Sequence, residues 1–262
     1  QVLRGDYVRL QSYASGYGKF SNSDIKARSF DVKQASRWFE KAGYTAFDVD
    51  GIRLKNNKRL SFTVTYGQPH LTPRLAVLAE EAKKTGLELK LKQLDPSAAF
   101  KSMVEKKHTI AFMGFGTGFR PQYWEGFHSD NAHKPQTNSL TNTDDPLMDK
   151  LTIAYRKELD EDKRAALSRR IIARIHDLCA FIPAYAVPYT REAFWGWLKF
   201  PPTYGTRSSE AIASPLNSGG FVDDGGLLWI DTEAHSSIMS ARRRGEKFEP
   251  QIIIDKTWQA GS

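Results

Sequence analysis

The residues of this chain that could do chemistry gather in one stretch, His108 to Leu151. Phe115, Tyr123 and Trp124 offer flat apolar faces, Asn138 an amide and Asp149 a carboxylate. Aromatic walls with a few fixed polar groups and one charge are the ordinary make-up of a pocket for a small solute. Asp149 falls in the first turn of a helix that Pro146 helps to start. Two roles are open to it there. It can answer the helix dipole, an effect of about 0.3–1 kcal/mol, or it can face a compact cation such as an α-amino group.

His128, His133 and Asp130 share the stretch. A metal site is conceivable from them, but a metal needs several ligands at set distances, which sequence alone does not give, and no metal and no cofactor are expected. Catalytic motifs are lacking too. The chain has no Gly-x-Ser-x-Gly and no His-Glu-x-x-His. Gly114-Phe-Gly-Thr-Gly118 is glycine-rich, but it lacks the Lys–Ser/Thr ending of a phosphate loop and is followed by an irregular segment, not a helix. The expectation is a binding protein rather than an enzyme. An α/β hydrolase or transferase with an unrecognised site is the alternative.

The elements that must position these residues read as follows. Asp31 caps a helix with Ala35, Trp38, Phe39 and Ala42 at helical spacing, closed by Gly43. Leu60 to Tyr66 alternates as a half-buried strand. Thr72-Pro73 starts a helix that Gly86 ends, with Thr72 as its cap. Leu87 to Lys92 is the next strand, Asp95-Pro96 the next helix start, and Thr109 to Met113 a third strand. This strand–helix–strand–helix–strand order predicts an open, mainly parallel sheet, with ligands at the carboxyl ends of the strands. The long loop after Gly114 leaves such an end. Two helices follow, the second capped by Asp160. Thr206 to Gly226 reads as loop, and the tail has little periodicity.

Order and spacing of several short motifs resemble the family 5 extracytoplasmic solute-binding proteins, the peptide, nickel and opine receptors of ABC importers. The residues that carry the resemblance are Asp31-Val-Lys-Gln-Ala35 with Glu40-Lys-Ala-Gly-Tyr44, Leu60-Ser-Phe-Thr63, Gly114-Phe-Gly116, Pro121-Gln-Tyr-Trp124, Ser129, Thr137-Asn138, Asp145-Pro-Leu-Met-Asp149, and Ile182-Pro-Ala-Tyr185. Phe115 stands where the family usually has Trp. The resemblance implies an α/β lobe of the periplasmic-binding-protein type (type II, large cluster C form) with an open mixed sheet. It implies residues 1–185 as the second lobe of a two-lobe receptor and 186–262 as a segment returning to the first lobe, most of which lies outside this chain. Further implications are an oligopeptide or peptide-like ligand, a membrane permease as partner, a periplasmic location, and Asp149 as the group that holds the ligand's amino terminus.

Composition sets bounds on these readings. With 262 residues and 40 % apolar content the chain can bury a real core. The net charge is +8, yet its positive residues alternate with acids, as in Glu80-Glu-Ala-Lys-Lys84, and only Arg242-Arg-Arg244 is a dense run. Nucleic-acid binding, which needs a basic face with interleaved aromatics, is not expected. One cysteine, Cys179, excludes an intrachain disulfide. Its neighbours Ile175, Leu178 and Phe181 suggest that it is buried.

Overall fold

Asn56 and Asn57 both adopt left-handed backbone, with φ of 51° and 58°, as a tight hairpin turn of the primed type requires. That turn joins β3 (Arg53–Lys55) to β4 (Lys58–Arg59), and β2 (Ala46–Phe47) completes an antiparallel meander in the order β2-β3-β4. The computed structural model describes residues 7–115, 120–189, 193–199 and 229–254. The chain divides into two units, Gln1–Ala186 and Val187–Ser262.

In the first unit, β5 (Ser61–Tyr66), helix α2 (Thr72–Lys83), β6 (Glu88–Gln93), helix α3 (Pro96–Val104) and β7 (Ile110–Ala111) form the expected alternation. All three strands are parallel, in the order β6-β5-β7. The chain therefore reverses its direction of winding across β5, and the crevice at such a reversal is where open α/β sheets hold ligands. Gly67, just past β5, is needed there because an added Cβ would lie 2.8 Å from the Pro96 backbone. Val64, Tyr66, Leu71 and Leu75 make the apolar contact between the sheet and α2. Arg53 joins meander to sheet: its side chain is buried and donates to the carbonyls of Thr85 and Tyr44 and to Glu40.

A second apolar cluster is helical. It draws on α4 (Trp124–Phe127), α5 (Pro146–Lys157) and α6 (Glu161–Leu178), with Ala14 and Phe20 from the wrapping segment before them. The helices begin where their caps dictate. The carboxylates of Asp31, Asp95, Asp145 and Asp160 each accept from backbone N–H groups two or three residues on. Arg174 on α6 also binds the Asp145 carboxylate through Nε and Nη2. Its guanidinium, with the cap N–H of Met148, holds the Asp145 carboxyl below the usual carboxylate range. A folded-state pKa below the unfolded one adds stability at neutral pH that is lost as pH falls through the folded value. Arg174→Met should therefore flatten the acid side of the stability profile below about pH 4, near the unfolded carboxylate value. Urea titrations at stepped pH would check this.

Four expectations are corrected. Thr72 is not a cap: a 3-10 turn, Pro69–Leu71, runs directly into α2, and the Thr72 hydroxyl bonds to that of Tyr66 at 2.8 Å. Helix α1 (Val32–Lys41) buries no residue, and Trp38 is 57 % exposed with the Lys41 ammonium over its ring. Cys179 is exposed, because α6 ends on it in left-handed backbone (φ 54°) and the next turn of helix that would have buried it never forms. The tail is not irregular throughout. In the second unit β9 (Leu198–Lys199) pairs with β10 (Trp229–Ile230), Asp231 caps helix α7 (Thr232–Arg243), and Trp195 stacks on Trp197 at 4.7 Å. The expected loop Thr206–Gly226 lies outside the described residues, as do Gly116 to Phe119 and Trp258.

Candidate functional site

Strand β7 ends at the crevice, and its backbone continues as Phe112, whose N–H donates to the Thr65 carbonyl. Past Phe115 the chain reaches α4 and an amide-rich turn, and both are held by bonds to backbone. Lys106, itself in left-handed backbone, donates from its ammonium to the carbonyls of Thr137 (3.0 Å) and Ser139 (2.8 Å). Burial lowers the pKa of this amine. The Gln136 N–H donates to the Val104 carbonyl, and His108 Nε2 lies 3.0 Å from the Leu140 carbonyl. The turn bearing Asn138 is thus fastened to the C-terminal end of α3.

Around α4 the structure brings three of the five expected residues together. Asn138 is exposed and donates to Glu125, the neighbour of Trp124, at 3.2 Å. The Trp124 ring has the Arg156 guanidinium 4.8 Å from its centre and the His128 ring at 5.6 Å. His128 Nδ1 lies 4.0 Å from Asp149 Oδ1. Asp149 does sit in the first turn of α5, but its role there is not only to answer the dipole. Its two oxygens accept from the backbone N–H (2.9 Å) and hydroxyl (2.6 Å) of Ser129. About a quarter of the Asp149 side chain remains exposed. His128 is buried, its Nδ1 accepts from the Asp130 N–H, and its Nε2 has no partner among the described residues. A ring that accepts at Nδ1 carries its proton on Nε2 when neutral.

The other two expected residues lie apart from this group. Phe115 is 55 % exposed and meets the rings of Tyr13 (6.4 Å) and Phe181 (5.9 Å) edge-on. Tyr123, expected in the ligand wall, is a core residue at 1 % exposure. Its hydroxyl bonds to Ser168 at 2.6 Å, and Ser168 donates onward to the Phe20 carbonyl. Burial pushes the Tyr123 phenol up, and that of its neighbour Tyr13 up to about 12. The physical reason is that Tyr13, Tyr155 and Ser168, all remote in sequence, close around the Tyr123 ring. Sequence reasoning also missed Lys106 and Arg156. A lysine directly after a predicted helix end, among acids and another lysine, carries no signal of its own. Arg156 is on the same helix as Asp149, and its approach to Trp124 depends on how α4 meets α5.

Among the described residues no group of His, Cys, Asp and Glu is placed to hold a metal ion. No described helix is long and apolar enough to cross a membrane. What the arrangement offers is a partly exposed carboxylate linked through His128 to the Trp124 ring, with an amide bonded to the neighbouring Glu125, on backbone that is fixed in place.

The sequence pattern described as bacterial extracellular solute-binding proteins, family 5 Middle, matches residues 1–137. The chain is 24 % identical over 167 residues to the nickel-binding periplasmic protein of Escherichia coli K12, covering 63 % of this chain and 32 % of that one. It is 28 % identical over 142 residues to the oligopeptide-binding protein AppA of Bacillus subtilis, covering 51 % of this chain and 26 % of that one. The structure of AppA in complex with a nonapeptide superposes with a TM-score of 0.66 at 20 % identity, over 88 % of this chain and 44 % of that one. The matched regions therefore span about a third or less of the length of these curated relatives.

Proposed function

Because this chain belongs to the bacterial extracellular solute-binding proteins of family 5, we propose that it serves as part of the receptor of an ABC importer. Residues 1–185 act as the second lobe, and 186–262 return towards the first. The receptor captures an oligopeptide or peptide-like solute between its lobes, outside the cytoplasm, and hands it to a membrane permease. Closure around the solute is a hinge motion. One observation carries the reading. Asp149, Trp124 and Asn138 converge on α4, on backbone fastened by Lys106 and Ser129, so that a charge, a flat face and an amide are held ready. The carboxylate takes the ligand's amino terminus and the aromatic face takes a side chain. Phe115 offers a further exposed ring apart from this group, and the buried Tyr123 supports α4 from the core.

A peptide library tests this directly. A receptor gains thermal stability that rises with the logarithm of ligand concentration above Kd and leaves the peptide intact by mass spectrometry. With the first lobe present, turnover of the peptide, or no shift with any member, would overturn the reading. Trp124→Ala is expected to weaken peptide binding about tenfold, the scale of a lost aromatic contact. Its melting temperature should fall by only about 2–4 °C, since the ring's main charged partner is a single cation. Calorimetric titration and a thermal scan on the same sample would separate the two effects.

A further inference from the structure

Arg74 occupies the first turn of α2, where a cation opposes the helix dipole, and it makes no ion pair among the described residues. Its guanidinium is spent on two neutral phenols instead. Nη1 donates to the Tyr185 hydroxyl at 3.1 Å and Nη2 to the Tyr7 hydroxyl at 2.9 Å. The same group lies 4.8 Å from the centre of the Tyr7 ring and 5.5 Å from that of Tyr185, and the two rings meet edge to face at 5.1 Å. Tyr7 directly precedes β1 (Val8–Arg9), and Tyr185 opens β8 (Tyr185–Ala186). These strands pair antiparallel, Val8 with Ala186 and Arg9 with Tyr185, and the Leu10 N–H adds a bond to the Ala184 carbonyl. The ladder is only two residues long, too short to hold itself in water, and it lies where the first unit ends at Ala186. Phe112, at the end of β7, approaches the Tyr185 ring at 6.4 Å.

With one N–H of each terminal nitrogen donated to a different phenol, Arg74 is well placed to hold geometry. We propose that Arg74 is a positioning residue for solute capture: its planar fork clamps β1 and β8 to α2 and to the carboxyl edge of the sheet. The role in capture rests on the receptor reading above; the clamp itself does not. Bending during closure is then confined to chain beyond the clamp, and the lobe moves as one piece with β1 and β8.

Two measurements on the whole chain test this. In Arg74→Met, amide exchange at Leu10 and along β1 and β8 should quicken on the order of tenfold, as loss of hydrogen bonds to a charged group implies, while β5 and β6 stay protected. Arg74→Lys keeps the charge without the fork and should stay loose. Tyr185→Phe should quicken the same amides, and adding it to Arg74→Met should change little more. Affinity for a peptide that stabilises the wild type should fall several-fold in Arg74→Met. Unchanged exchange along β1 and β8, or exchange quickened equally in β5 and β6, would overturn the clamp. Local loosening with unchanged affinity would overturn the positioning role. If the wild type takes up no peptide, the receptor reading fails and the role in capture with it, while the exchange data still decide whether the clamp exists.

Discussion

Asp149→Asn should lower affinity for a free-amine peptide at least roughly a hundredfold while leaving the fold nearly intact. The two effects separate because of Ser129. In the mutant the amide oxygen can still accept from the Ser129 N–H, and the amide nitrogen can donate to the hydroxyl that now donates to Asp149. Both contacts survive as neutral bonds, about half as strong as charge-assisted ones, so unfolding free energy should drop by about 1–2 kcal/mol. The ligand has no such substitute. An ammonium left in a partly dry site without its carboxylate loses about 3–5 kcal/mol, which is a hundredfold or more in Kd. Asp149→Ala makes the contrast: it strands the Ser129 N–H and should cost about 1–3 kcal/mol of stability as well. Titrating N-acetylated and free peptides into wild type and mutant supplies the check. Equal binding of the two peptides by the wild type would show that no amine is recognised.

Tyr123→Ala should be the most damaging single truncation in the aromatic stretch, at about 3–5 kcal/mol, or on the order of 10 °C in melting temperature. The ring is fully buried and touches Tyr13 and Tyr155, and its hydroxyl begins a relay through Ser168 to the Phe20 carbonyl. Tyr123→Phe keeps the packing and leaves the Ser168–Phe20 bond in place, so it should cost only about 1 kcal/mol. A Tyr123→Ala protein of near-normal stability that no longer binds peptide would show that the ring faces the solute.

The pair of predictions marks how far the sequence could be read. The parallel sheet was legible because β5 and β6 alternate and because Asp-Pro at 95–96 and 145–146 announces helix starts; those carboxylates do cap α3 and α5. Asp149 was legible as a first-turn carboxylate. Its grip on Ser129 was not, since the two lie twenty positions apart across mostly irregular chain and no periodicity links them. Tyr123 and Trp124 are adjacent aromatics of equal promise on paper. One is sealed by side chains drawn from both ends of the unit, and the other lies beside Arg156. Cys179 failed in the opposite sense: apolar neighbours at helical spacing mean burial only while the helix lasts, and here it stops at that residue.

The pairing of β1 with β8 brings the two ends of the first unit side by side, Val8 against Ala186. A unit whose ends are neighbours can be set into a surface loop of another domain with little disturbance to either, as tolerated domain insertions and circular permutations require. The same closure joins residues at opposite ends of the unit, so its loop entropy is paid only after the sheet and helices between them exist. A chain built this way can close this unit with its own residues. The two-residue ladder is then the place where the two ends of this unit meet.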